Sequence, residues 1–399
     1  MKILILCGVF SKVNEQEVMR CARKAVEFSA NEYQRKMISG FLDAGCDLSI
    51  LSAPFIGSWP NASDTLVFRG FQEQQKEYRY VPFLNVWGLR QFSRTRWLKR
   101  GMEDFIRSES AEKLIVVYSP HTPFLEAAVS AKARDSRIRI CLVVPDLPQY
   151  MNLNKRKSLL YRVGKRADIS RFRRLNQQVD SYVILTEAMK DELEIGQRPC
   201  FVSESILTGE DLAAGHAPQG HDHEVLRYVV YTGKLNDAFG ISELLEAFHA
   251  LPDDNLRLVL CGRGDLDDRI RKMAEADPRI LPQGQVSPDA AAAWVQRADV
   301  LVNPRRDDAE YTKYSFPSKL TGYLLSGNPV VAYRLRGYPD AYSDFLYFID
   351  DYPDLGSAIL DAMSSGPKPG YRAYAAEHLL AERIARRIVR MNRKHSKES

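Results

Sequence analysis

The 399-residue chain has no Cys-x-x-Cys pair, no internal repeat, no low-complexity tract and no apolar run long enough to cross a bilayer. Each absence excludes something. The six cysteines (Cys7, Cys21, Cys46, Cys141, Cys200, Cys261) are scattered, several within apolar runs where a thiol behaves as a small hydrophobe. That argues for a reducing compartment and against a zinc site. The longest apolar runs, 114–118 and 140–145, are strand-length, far short of the roughly 20 residues of a spanning helix. The opening stretch Met1-Lys2-Ile3-Leu4-Ile5-Leu6-Cys7-Gly8 is too short for a signal-peptide core, and Ser11, Lys12 and Glu15 follow at once. It reads as a first buried strand, and the expected location is cytoplasmic. Charge is nearly balanced at +5, so local clusters must carry any information about partners.

What is present is a globular composition, 45% hydrophobic and 27% charged, with length enough for two Rossmann-sized domains. Short continuous apolar strands alternate with helical stretches, the pattern of parallel sheets covered on both faces. In the first half the strands are expected at 2–7, 47–51, 80–84, 113–118, 139–144 and 181–185, with helices over 17–44, 86–109, 123–132 and 187–196. Residues 53–79 read as loop. Gly, Pro, His and Asp crowd 208–224, which reads as a linker between domains of 1–207 and 225–370. A second α/β series follows, with strands at 228–231, 257–261, 280–281, 300–303, 329–332 and 346–349. Its helices are expected at 241–250, 265–276, 288–296 and 318–326. Leu380, Ile384, Ile388 and Met391 recur at helical spacing opposite an Arg-rich face, which predicts one helix over 371–391. The fold class is α/β, two doubly wound sheets facing a cleft, with ligands at the carboxyl ends of the strands.

Three strand-to-helix turns in the second half favour anions. In Tyr314-Ser315-Phe316-Pro317-Ser318-Lys319, a loop opens a helix whose unpaired N–H groups and positive dipole end receive a phosphate, with Lys319 adding a full charge. The competing reading is a capped core helix with a solvated lysine. In Tyr231-Thr232-Gly233-Lys234 and Cys261-Gly262-Arg263-Gly264, glycine lets backbone approach an anion, although tight turns need glycine for backbone reasons alone.

Four segments (231–248, 261–265, 280–287 and 298–331) together resemble the C-terminal domain of retaining GT-B glycosyltransferases of family 4. The resemblance implies that 225–370 binds a nucleotide-sugar donor, a UDP-sugar favoured, while 1–207 presents a glycan or lipid-linked acceptor. It also implies that the terminal helix returns to the first domain. By position, Lys234 looks like the basic residue that contacts the donor diphosphate, and Ser318 and Lys319 resemble the second phosphate contact. Gly233, Gly262, Arg263, Tyr314, Ser315, Phe316 and Pro317 complete the implied donor site, and Gly284, Gln285 and Val286 resemble the nucleobase pocket. In the first domain, Gly8 and His121 resemble the family's glycine turn and the histidine near the transferred sugar. No cofactor is implied, the nucleotide-sugar being a co-substrate. Three departures stand out: the family's two carboxylate positions hold Tyr314 and Gly322, and Phe239 stands where a lysine is usual. Either the branch holds the ribose differently, or this is a non-catalytic relative that binds a glycan or serves a partner enzyme. A sugar-nucleotide 2-epimerase, which shares the fold, would need cleft carboxylates that the strand ends do not offer.

Other readings come from the residues themselves. His121 in Ser119-Pro120-His121-Thr122-Pro123 could serve a loop hydrogen bond as well as a substrate. Asp146 is a candidate acceptor contact or a turn residue. Asp265-Leu266-Asp267 matches a metal-binding string, but it opens a helix, where carboxylates cap N–H groups, so no metal is expected. Residues 155–174 carry nine Lys or Arg against one Asp, interleaved with apolar side chains. Lys155, Arg156, Lys157, Arg162, Lys165 and Arg166 are therefore candidates for an anionic membrane surface on the inner face of the cell membrane. A solvated face is the alternative, and no nucleic-acid motif accompanies the charge.

Overall fold

The computed structural model describes residues 1–23, 28–72, 78–150, 159–214 and 226–393. The chain divides into two compact units, Met1–Thr208 with His378–Ser399, and Gly209–Glu377.

The first unit contains β1 (Lys2–Cys7), β2 (Asp47–Ser52), β3 (Val67–Phe68), β4 (Phe71–Gln72), β5 (Tyr78–Tyr80), β6 (Phe83–Leu84), β7 (Lys113–Tyr118), β8 (Ile138–Val144), β9 (Ser181–Ile184) and β10 (Cys200–Val202). Eight of these form one sheet in the order β10-β9-β8-β7-β1-β2-β5-β4, while β3 and β6 pair separately. Every neighbour in the large sheet is parallel except β4 with β5. β1 and β7 are central and buried nearly throughout, which is why their sequences are unbroken apolar runs. The helices are α1 (Lys12–Cys21), α2 (Phe28–Asp43), α3 (Leu89–Gly101), α4 (Glu103–Arg107), α5 (Thr122–Arg134), α6 (Leu159–Asn176) and α7 (Met189–Glu192).

The second unit carries β11 (Arg227–Thr232), β12 (Leu256–Cys261), β13 (Ile280–Gly284), β14 (Val300–Asn303), β15 (Val330–Ala332) and β16 (Tyr347–Phe348), all parallel in the order β13-β12-β11-β14-β15-β16. Its helices are α8 (Gly209–Ala214), α9 (Ile241–His249), α10 (Asp267–Ala276), α11 (Pro288–Gln296), α12 (Ser318–Ser326), α13 (Leu355–Ser365) and α14 (Tyr371–His378). In each sheet the chain leaves a central strand in one direction and later resumes on its other side. The reversal falls between β1 and β7 in the first unit and between β11 and β14 in the second. Loops diverge at such points and leave a crevice at the strand ends.

The helix expected over 371–391 is two helices, α14 and α15 (Ala381–Asn392). Leu380 is extended and its backbone bridges to Leu207, which breaks the helical run. Ala381, Ile384, Ala385 and Ile388 of α15 enter the first unit's core beside Ile3, Ile5 and Val116, and Asn392 Oδ1 accepts the Ser181 hydroxyl at 2.9 Å. Residues 17–44 are likewise not one helix: α1 ends at Cys21 and α2 begins at Phe28. The stretch 53–79, expected as loop, contains β3, β4 and the start of β5. Within the expected linker 208–224, Gly209–Ala214 is helical and belongs to the second unit, while 215–225 lie outside the described residues. That unit also extends past 370 to Glu377.

Candidate functional site

At the second unit's reversal the loop after β11 meets the loops after β12 and β14. Gly233 N–H donates to the Cys261 carbonyl at 2.8 Å, and Gly262 N–H donates to the Gly284 carbonyl at 2.8 Å. Leu235 N–H reaches the Arg263 carbonyl at 3.1 Å, and Asn236 Oδ1 accepts from Asp265 N–H at 2.9 Å. The turns are thus laced together by main chain. Tyr323 of α12 ties this lacing to the helix: its hydroxyl accepts the Thr232 N–H at 2.8 Å.

Lys319, on the first turn of α12, turns its ammonium inward. Nζ lies 3.8 Å from the centre of the Tyr231 ring, has almost no exposed surface and has no hydrogen-bond partner. It also occupies the space beside Gly233, where an added Cβ would come within 2.3 Å of it. Burial, with the nearby charge of Arg305, lowers its pKa to about 7. Arg305, two residues past β14, is itself buried. Its Nη2 donates to Ser315 Oγ at 3.1 Å, its Nε has no partner, and its guanidinium lies 5.4 Å from the Tyr311 ring centre. The adjacent Arg306 pairs with Glu243, whereas Arg305 has no carboxylate partner among the described residues. Two cations facing one crevice without an anion form a site for one. α12 adds its uncapped N-terminus, with no acidic residue in its first turn. Thr321 Oγ1 is a further buried atom without a partner there.

The other expected residues of this unit lie on the same turns, at the head of α12 and after β13. Ser318 is exposed at the start of α12, and Lys234 is exposed on the β11 turn, where its carbonyl accepts the Tyr231 hydroxyl at 2.9 Å. Pro317 holds the N-cap position, and Phe316 turns into an aromatic cluster with Tyr338 and Tyr342 (ring centres 5.6 and 5.3 Å). Phe316 therefore holds the loop in place from behind and offers only its backbone. Tyr314 is buried beside Lys313. A side chain at Gly322 would meet nothing within 4 Å, so no neighbour fills the place of the absent carboxylate. Arg263 lies next to Gly284 and reaches Asp267 at 3.6 Å, while Asp267 Oδ1 accepts from Gly264 N–H at 2.9 Å. Asp267 is thereby engaged at the head of α10. Gln285 and Val286 follow β13 at the sheet edge.

Gly8, His121 and Asp146 belong to the first unit. Gly8 follows β1, and an added Cβ would strike the Phe55 ring at 2.5 Å. His121 caps α5 and packs on Phe55 and Phe124, with Nδ1 buried and unpartnered. Burial, with the charges of Arg94 and Arg90, pushes its pKa well below the usual histidine range. Asp146 is exposed beyond β8. Arg162, Lys165 and Arg166 lie on α6, Arg162 and Arg166 exposed and Lys165 Nζ donating to the Gln149 carbonyl at 3.1 Å. Lys155, Arg156 and Lys157 lie outside the described residues. Arg305 was not among the expected site residues. The signal was its place two residues beyond a buried strand, and an arginine in a loop otherwise reads as solvated.

Residues 227–365 match the family described as glycosyl transferases group 1. The whole chain has the GT-B fold. Its structure superposes on sucrose-phosphate synthase from Thermosynechococcus elongatus with a TM-score of 0.60, at 14% identity and 98% coverage of both chains. TarM gives 0.58 at 11% identity, with 99% of both chains covered. The lipopolysaccharide outer core galactosyltransferase WaaB gives 0.57 at 11% identity, covering 99% of this chain and 96% of that one. This is thus a protein of GT-B fold whose residues 227–365 are similar to the group 1 glycosyl transferases. In sequence it is 26% identical over 182 residues to the putative colanic acid biosynthesis glycosyl transferase WcaI of Escherichia coli strain K12. That match covers 41% of this chain and 42% of the relative, so it spans less than half the length of either.

Proposed function

We propose that the protein is a retaining, metal-independent glycosyltransferase that moves a sugar from a nucleotide-diphosphate donor, favourably a UDP-sugar, to a glycan or lipid-linked acceptor in surface polysaccharide assembly. The observation that carries this is the pair of unneutralised cations, Lys319 and Arg305, at the β11–β14 crevice. Such a pair suits a diphosphate and supplies the positive charge that a leaving group needs. In the reaction the bond from the sugar's anomeric carbon to the phosphate oxygen breaks as the acceptor hydroxyl bonds to that carbon on the same face. The departing phosphate oxygen takes the acceptor's proton. No protein base is required, and the work of the chain is positioning and charge stabilisation. The group 1 similarity and the resemblance to family 4 support the donor and the retention of configuration. Similarity to WcaI supports the surface polysaccharide setting.

Titrating UDP and GDP into the full chain by calorimetry tests this. UDP is expected to bind, and Arg305→Gln to weaken it about ten- to a hundredfold, the scale of a hydrogen bond to a charged group. If neither nucleotide binds, the missing carboxylates at Tyr314 and Gly322 favour the non-catalytic reading instead.

A lipid-linked acceptor is supported by a face of the first unit. Among the described residues no helix is long and apolar enough to cross a membrane. However, Trp87, Leu89, Phe92 and Trp97 are exposed on and before α3, Phe92 to 72%. α3 carries the exposed Arg96 and Arg100 with the part-exposed Lys99, and no acidic residue. Aromatic side chains amid basic ones suit the headgroup boundary of an anionic bilayer, with the protein peripheral on the cytoplasmic side. Leu89→Ser with Phe92→Ser is expected to reduce flotation with anionic vesicles about tenfold, by loss of apolar burial. Unchanged flotation would remove this face as the docking surface.

A further inference from the structure

Among the described residues, eight buried side-chain nitrogen or oxygen atoms have no hydrogen-bond partner. Three belong to Arg305, Lys319 and Thr321 of the donor crevice. The other five are Asn85 Oδ1, Gln91 Oε1, Arg94 Nε, His121 Nδ1 and Thr122 Oγ1, all in the first unit. Buried polar atoms are normally paired, because an unpaired one forfeits its hydration for nothing. Five in one unit, four of them on α3 or at the head of α5, call for a ligand.

The charge there points the same way. Arg90 and Arg94 lie one turn apart on α3, which packs along α5. Arg94 is 2% exposed, its Nη2 donates to the Pro54 carbonyl at 2.6 Å, and its guanidinium lies 4.3 Å from the Phe83 ring centre. Arg90 Nη1 donates to the Ile56 carbonyl at 3.2 Å. Both are thereby fixed to the segment that follows β2. Neither has a carboxylate partner among the described residues; the acid facing this side of α3, Glu126, pairs with Lys99 and Arg171. Both guanidinium groups act on His121, which begins α5 at the end of β7. The cluster therefore sits by the sheet's reversal between β1 and β7, at the carboxyl ends of the strands. Burial lowers the pKa of both guanidinium groups, that of Arg94 to about 9, which leaves two positive charges here unneutralised at neutral pH.

We propose that Arg90, Arg94, His121 and Thr122 form a phosphate site in the first unit, which holds a phosphate group of the acceptor. The acceptor role rests on the glycosyl-transfer reading; the phosphate site does not. A phosphate dianion matches the two guanidinium charges and offers oxygens to the unpartnered Thr122 hydroxyl as well. A carboxylate would neutralise only one. Arg90 also neighbours the exposed Leu89 and Trp87, so a phosphate borne by a lipid could reach it from the aromatic face.

Inorganic pyrophosphate titrated into the full chain is expected to show two sites. Lys319→Ala should remove one and leave the other. Arg90→Gln should weaken the second about tenfold or more, as loss of a charge-assisted contact does. Arg94 braces Pro54, so Arg94→Lys, which keeps the charge and loses the fork, is the second variant, with thermal melts to verify folding. A single site, or a second site indifferent to both variants, would overturn the proposal. Malonate binding as tightly as pyrophosphate would overturn the phosphate assignment. Vesicles doped with a polyprenyl phosphate, set against undoped vesicles, separate the sources: Arg90-dependent preference for the doped vesicles identifies a lipid-borne phosphate, and its absence with pyrophosphate still bound identifies a soluble one. If nucleotides fail to bind while the Arg90-dependent site persists, the transfer reading falls and this site stands. The opposite result removes this site alone.

Discussion

Replacing Lys319 with methionine is expected to lower sugar transfer about a hundred- to a thousandfold, the scale seen when one charge-stabilising donor is removed from an active site. The same change should raise the thermal midpoint near neutral pH. The ammonium is enclosed over the Tyr231 ring without a partner, and its pKa is lowered to about 7. In the unfolded chain a lysine titrates near its ordinary value, about 10.4. Between those two values the unfolded chain holds the extra proton, so stability rises as pH increases from about 7 towards 10 and is flat below that window. Methionine fills the same space with no charge and removes this slope. A bound diphosphate would reverse the balance by giving the ammonium its partner, so donor binding above pH 7 should take up protons. Unfolding midpoints across pH 6 to 10 for both chains check the first effect. Calorimetry in buffers of different ionisation enthalpy checks the second. Identical pH slopes in the two chains would show that Lys319 does not titrate in this way.

The largest loss of stability is expected from Gly262→Ala. Gly262 has φ of +146°, and a Cβ there would lie 1.8 Å from the Gly233 carbonyl oxygen. The contact is backbone against backbone, in the turns that form the crevice, so neither side can give way without unlacing the loops. A cost of about 3 kcal/mol or more follows, from steric overlap added to backbone strain. Nucleotide affinity should fall with it. Gly45→Ala is the comparison: φ is +69° there, but nothing lies within 4 Å, so only the left-handed conformation costs, about 1–2 kcal/mol. Equal destabilisation in the two variants, measured by denaturant unfolding, would count against the steric account.

The elements that could be read from the sequence were those whose ends carry their own chemistry. β1, β7 and β14 are unbroken apolar runs, α11 begins at a proline after a serine cap, and α12 is bounded by Pro317 and Gly327; all five lie where the pattern puts them. Where long-range pairing decides, the pattern fails. Nothing in Leu379-Leu380 forbids a helix; the break comes from backbone pairing with Leu207, over 170 residues away. β10 is three residues long and has no periodicity to find, and the run 53–79 became short strands only by pairing with neighbours. The site divides in the same manner. The glycine turns and the head of α12 are local and were visible. Arg305, Arg90 and Arg94 are matters of burial, and a basic side chain in a loop or on an amphipathic helix looks solvated until tertiary structure encloses it.

The break before α15 has a consequence for how the chain matures. The first unit draws Ala381, Ile384, Ala385 and Ile388 into a core otherwise built from residues before 209, so its hydrophobic interior stays open until α15 has been synthesised. The second unit, continuous in sequence, can form while the first still waits. Emergence from the ribosome therefore lets the second unit close before the first, which is completed only by α15.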